Sequence, residues 1–310
     1  MRALVWHGPR QMAVETLAEP RQVDDEVLVR PEAAGICGSE IEGYLGRMPN
    51  RIPPLVMGHE FAGTVVAAGR GAREEWSGRR VAVNPLLSCR VCVRCKEGER
   101  NLCAERRLIG VHVAGGFAER VSVPAANLVL LPDGVDARIG ALVEPLANAV
   151  HAVGLALRLG AVQSAVMLGA GAARRAAALA AGARAAHADA GELARGGRAD
   201  LVIDAVGATA TRRAALDVVR VGGVVVLLGL HEDESALPFH RIVRDQVTLQ
   251  GSFAYTDANF AAALELLTSG KVSLGELAGT RPLEAGPEAF ATLAAGPTAQ
   301  LKTFLSPLSS

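Results

Sequence analysis

Four cysteines within fifteen residues constrain this chain more than any other feature. Cys89, Cys92, Cys95 and Cys103 follow the spacing C-x2-C-x2-C-x7-C. Thiolates separated by such short loops converge on one tetrahedral metal ion, at about 2.3 Å each for zinc. The chain must therefore fold a small lobe around its own metal. With four protein ligands that site is closed, so its zinc is structural and holds no substrate. A ferredoxin-type cluster asks for a last gap of three residues followed by Pro. Here the gap is seven and Ala104 follows. Arg90, Arg94 and Lys96 stand among the ligands, where they would offset thiolate charge. The N-terminal MRALVWHGPR has no signal-peptide apolar stretch and reads as an opening strand, so clustered cysteines favour metal over disulfides and a reducing cytoplasm.

Around this lobe the first half alternates short strand-like runs with turns. Glu26 to Arg30, Phe61 to Ala67, Arg80 to Val83 and Ala118 to Val123 are strands, punctuated at Pro53-Pro54, Gly69 to Gly71 and Pro132-Asp133-Gly134. This texture predicts a β-rich, barrel-like domain. From about Ala141 helix-length apolar stretches alternate with purely apolar strands: Ala165 to Leu168, Leu201 to Ile203 and Val224 to Leu228. Parallel strands covered by helices on both faces read this way. The division expected is a first domain of residues 1–147, rejoined by 272–310, and a parallel α/β domain of residues 148–271. Lys plus Arg and Asp plus Glu number 32 each, with no block of like charge, which argues against nucleic acid or an acidic membrane as partner. Apolar runs are too short to span a bilayer.

Three fragments form a second candidate metal site: Gly35-Ile-Cys-Gly-Ser-Glu40, Gly58-His-Glu60 and Val143-Glu-Pro-Leu-Ala-Asn148. Each alone is weak, since a lone buried Cys is usually a small hydrophobe. Together with the cysteine lobe, the pieces GICGSE, PPLVMGHEFAGTV, GGFAERVSVPAANL, EPLANAVHA, DLVIDAVG, VGGVVVLLGL and LQGSF closely resemble the zinc-containing medium-chain dehydrogenases, especially their polyol and threonine dehydrogenase branch. The resemblance spans nearly the whole chain. It implies a GroES-like catalytic domain and a Rossmann-like nucleotide domain. It also implies two zinc ions per chain: one in the cysteine lobe, one held by Cys37, His59 and Glu60 with Glu144 as an exchangeable fourth ligand. Ser39 occupies the hydroxyl position that passes the alcohol proton outward. Farther along that relay many relatives carry His; here Ile41-Glu42-Gly43-Tyr44 offers Glu42.

The nucleotide half departs from the pattern. A dinucleotide site expects a strand, then G-x-G-x-x-G, then an acidic residue about twenty positions on. Ala165 to Leu168 supplies the strand and Gly169-Ala-Gly171 the turn, but Arg174 holds the third glycine's place. Residues 172–200 hold about one helix and one short strand, where the family fits at least two such units. In one register, the favoured one, Arg174 to Gly182 is the second helix, and the pyrophosphate-binding helix and the ribose-binding strand are missing. In the other, the same residues are a shortened first helix, Arg184 to Ala190 is a weak strand, and Asp189 is the ribose acceptor. Either way NAD(P) binding is expected to be impaired or lost.

Two functions follow. The first is a zinc-dependent alcohol or polyol dehydrogenase acting on a small alcohol or carbonyl. The second is a cofactor-independent zinc lyase or isomerase on the same scaffold, with Glu60 or Glu42 as base. A homodimer or homotetramer is expected in either case.

Overall fold

The computed structural model describes residues 1–21, 23–72, 74–159, 166–168, 172–180, 183–189, 191–192, 197–272, 279–296, 298 and 300–307. Two compact units result. The first takes Met1–Ala147, Tyr255–Val272 and the C-terminal segment; the second takes Asn148–Ala254. The second boundary thus falls before Tyr255, not at residue 272. The helix Asp257–Thr268 reads like any α/β helix, but it buries Phe260 beside Tyr255, and Arg100 binds Asp257 through both carboxylate oxygens at 2.7 and 2.8 Å. Those contacts tie it to the first unit.

The first unit centres on a seven-stranded sheet. Its path runs Leu128–Leu130, Arg80–Val83, Glu60–Ala68, Glu26–Gly35, Phe304–Ser306 and Thr280–Pro282, and Val121–Pro124 also pairs with Glu26–Gly35. Along Glu26–Gly35 burial alternates through Val27 and Val29, the period of a half-covered strand. It then becomes continuous at Ala33, Ala34 and Gly35, where Phe61 and Phe304 lie across the ladder on either side. A smaller sheet of Gln11–Thr16, Arg2–Gly8 and Leu55–Val56 adds Leu4, Val5 and Trp6 to the core. Phe290 closes that core, edge-on to Phe117 and tilted against Tyr44.

In the second unit Ala199–Asp204, Val219–Leu227 and Thr248–Gly251 pair in parallel. Both faces are covered. Val225 packs with Ala215 and Leu216 of the helix Thr209–Val218, while Val224 and Val226 pack with Ala152 and Ala156 of the helix Val143–Leu159. Neighbouring residues on a strand point oppositely, so an unbroken apolar run is what two helical layers require.

Residues 172–200 hold, among those described, one helix and one short strand, as both registers expect. The helix Ala172–Ala180 directly links the strand Val166–Leu168 to Ala185–His187, and the two strands pair in parallel. A shortened first helix with a weak strand and a surviving second helix with its strand share this arrangement. In both, the backbone groups along the edge of Val166–Leu168 find their partners in Ala185–His187. Among the described residues this pair and the three-stranded ladder are separate, where one parallel sheet was expected. No described helix is long and apolar enough to cross a membrane.

Candidate metal centres

The cysteine lobe is built locally. Cys92 caps the short helix Val93–Lys96, which carries Cys95, and a 3-10 turn over Arg100–Leu102 delivers Cys103. All four sulfurs lie within 4.8 Å of one another. Cys89 Sγ stands 3.9 Å from Cys95 Sγ and 3.5 Å from Cys103 Sγ. Sulfurs on a tetrahedron around zinc are separated by about 3.8 Å, so the donor set fits. The charge balance differs from expectation. Arg94 faces Glu97 and Glu99, and Arg90 turns to Ala126 O and Asn127 Oδ1. Backbone N–H groups at Val91 and Cys92 instead hold the Cys89 thiol down at about 7. Buried Arg100 roots the lobe, donating to Ser88 Oγ, Leu86 O and Asp257.

The second centre forms where strand ends converge. In the ladder Gly35 lies opposite Glu60, and Phe304 lies opposite Gly35 on the other side. Cys37, just past one strand, therefore meets His59 and Glu60 at the start of the next. The donor atoms of Cys37, His59 and Glu60 lie within 4.8 Å of one another. Gly35 permits the approach, because a Cβ there would stand 2.5 Å from Glu60 Oε2. Thiolate, imidazole and carboxylate suit zinc and leave an open position. Buried Glu60 gives Oε2 to the Lys302 ammonium, while its Oε1 has no hydrogen-bond partner and is the oxygen left for a second cation.

Glu144 is buried but outside this three-donor cluster. It opens the helix Val143–Leu159 and interacts with Tyr255, whose hydroxyl pKa is pushed well up by burial and by that carboxylate. Ser39 lies on the helix Gly38–Tyr44, and its Oγ accepts from Arg51 Nη2 at 3.3 Å. Glu42, one turn on, faces Arg47 at 3.4 Å. Gly169 and Gly171 lie outside the described residues. Asp189 is exposed, two residues past the strand Ala185–His187, and its Oδ1 accepts from Glu192 N at 3.0 Å.

Two important residues escape motif reading. Glu40 is fully buried and accepts from Cys37 N at 2.9 Å, Gly58 N at 2.8 Å and His59 N at 3.1 Å. Its Oε1 also lies 2.9 Å from His59 Nδ1. A carboxylate there keeps the hydrogen on Nδ1 and turns the Nε2 lone pair outward, the tautomer a metal ligand needs. Burial opposes charge on both groups, yet their mutual attraction raises the His59 pKa and lowers that of Glu40. The capping-box spacing from Cys37 to Glu40 was the available signal. Lys302 forms an ion pair with Glu60; burial pulls its pKa down, but the charges of that carboxylate and of Cys37 outweigh burial and leave it raised. Lys302 is one of only three lysines in an arginine-rich chain, which marks it weakly. Glu40→Gln is expected to weaken metal retention at the second centre about 10- to 100-fold in chelator competition while the cysteine lobe keeps its ion.

The alcohol dehydrogenase GroES-like domain matches residues 23–133, and the zinc-binding dehydrogenase domain matches residues 149–269. The chain is 32% identical to L-galactonate-5-dehydrogenase of Escherichia coli K12, covering 88% of this chain and 89% of that protein. It is also 32% identical to sorbitol dehydrogenase of Bombyx mori, with the same coverage of each. A protein described as a short chain alcohol dehydrogenase from Escherichia coli CFT073, solved with NADH, superposes with a TM-score of 0.88 at 26% identity over 99% of each chain.

Proposed function

The chain belongs to the zinc-containing medium-chain dehydrogenase family, and from that premise we propose that it oxidises a small polyol, or reduces the matching carbonyl, at the centre of Cys37, His59 and Glu60. The convergence of those three donors carries the reading. When bound there, zinc supplies Lewis acidity toward an alcohol or carbonyl oxygen. Glu40 holds the His59 ring, and Lys302 offsets the Glu60 charge. Glu144 is a reserve carboxylate that enters only by moving. Arg51 is permanently protonated, so at Ser39 it can only donate. The second Ser39 lone pair then takes the alcohol proton, and its own hydrogen passes outward toward Glu42 on the next turn. The cysteine lobe holds a second, structural zinc. The protein works in the cytoplasm as a homodimer or homotetramer.

The dinucleotide partner is NAD(P), bound weakly. The reading takes Asp189, two residues past the strand Ala185–His187, as the adenosine ribose acceptor. One helix–strand unit, however, supplies fewer enclosing contacts than two. Loss of about 3 kcal/mol of such contacts weakens binding roughly a hundredfold. Zinc-loaded protein assayed on a polyol panel with NAD+ and NADP+ tests the reading, and reduction of either dinucleotide with one polyol supports it. Polyol elimination or isomerisation without any dinucleotide would favour the lyase alternative, which the short nucleotide segment also accommodates.

A further inference from the structure

The Tyr255 hydroxyl has no role in the chemistry above and none in packing. Tyr255 is 1% exposed and precedes Thr256, the residue that caps the helix Asp257–Thr268. Its ring lies 5.6 Å from that of Phe260, in the first turn and a half of the helix. An apolar pair at these two places fixes the angle at which a chain enters a helix. Phenylalanine would serve that staple as well as tyrosine does. The added hydroxyl is buried with no partner in hydrogen-bonding geometry. A buried donor left unmade costs about 1–3 kcal/mol, so packing alone does not account for it.

What the hydroxyl meets is the Glu144 carboxylate, and the charges of Glu60 and Asp257 reach it as well. A phenol keeps its proton at neutral pH, so Tyr255 faces these groups as a donor. Glu144 stands outside the cluster of Cys37, His59 and Glu60, and just short of a hydrogen bond with Tyr255. Glu60 is held differently. The Lys302 ammonium takes its Oε2 and leaves Oε1 for a metal, so Glu60 needs no movement to serve as a ligand. Tyr255 acts on Glu144 where that carboxylate now stands, so a hydrogen bond between them stabilises the position off the metal.

We propose that Tyr255 is a positioning residue for Glu144: its hydroxyl donates to the carboxylate off the metal and so keeps the open coordination position free for a substrate oxygen. This rests on the metal centre placed at Cys37, His59 and Glu60. It gives the second buried carboxylate a resting partner, as Lys302 is the partner of the first.

The test compares zinc-loaded protein with its Tyr255→Phe, Glu144→Gln and doubly substituted variants. Competition with dipicolinate reads zinc retention at the second centre, and the cysteine lobe serves as internal control. Calorimetric titration with imidazole, a single nitrogen donor suited to zinc, reads the open position. Tyr255→Phe is expected to tighten zinc retention about 3- to 10-fold, because the released Glu144 becomes a fourth ligand, and to weaken imidazole binding by a similar factor. In the Glu144→Gln background, Tyr255→Phe should change neither. A purely structural tyrosine would act alike in both backgrounds. Unchanged or weakened zinc retention in Tyr255→Phe, or the same shift in both backgrounds, would overturn the proposal. Protein that holds zinc only in the cysteine lobe refutes the metal centre and this role with it. Two zincs per chain without a Tyr255→Phe effect refutes this role alone. Neither readout uses turnover, so a failed polyol assay leaves the Tyr255 role standing.

Discussion

His59→Ala is expected to release one of two zinc ions and to lower alcohol-dependent dinucleotide reduction by about a thousandfold or more, because Lewis acidity supplies several kcal/mol of the barrier reduction. The effect should be local. Glu40 would lose its imidazole partner but keep backbone donors at Cys37, Gly58 and residue 59. Its buried charge therefore stays partly solvated by the chain, and the fold should survive. Elemental analysis should fall from about two zincs per chain to about one, with the remaining ion in the cysteine lobe. Retention of both ions would remove His59 from the metal centre.

Cys95→Ser should act the other way, on folding before chemistry. It removes the ligand on the helix Val93–Lys96, within 4.8 Å of the other three sulfurs. Structural zinc is worth about 10–16 kcal/mol in small zinc-finger peptides, where folding depends wholly on the metal. In this chain only the lobe depends on it, so a few kcal/mol reaches global stability, and the melting temperature should drop by about 5–10 °C. The loss should spread beyond the lobe, because Arg100 joins it to the helix Asp257–Thr268 through Asp257. Unchanged melting with full metal content would contradict a structural zinc at these cysteines.

The lobe was legible because its ligands are local: short loops between cysteines encode the geometry directly. Cys37, His59 and Glu60 were legible only as ordered motifs. What joins them is ladder register, Gly35 opposite Glu60, which no spacing along the chain reveals. Lys302 comes to Glu60 through a strand from the far end of the sequence, so nothing near either residue announces the pair. Glu40 was quoted within its motif, yet its four contacts appear only once the Gly58–His59 backbone is folded beside it. The alanine-rich residues 172–200 fit two registers, because a helix of small side chains packs in either place. Both put that helix between Val166–Leu168 and Ala185–His187, so strand pairing does not decide between them. The helix Asp257–Thr268 was assigned to the wrong unit for a similar reason: its apolar pattern shows that it is buried, not against what.

The proposal of weak dinucleotide binding is tested most directly by titrating zinc-loaded protein with NADH and NADPH in a calorimeter. Dissociation constants of about 0.1–1 mM are expected, weakened further by Asp189→Ala, which corresponds to about 4–5.5 kcal/mol of binding. Micromolar binding of either dinucleotide would show that the single helix–strand unit encloses the adenosine as well as a full-length site does, and would contradict the reduced-site reading.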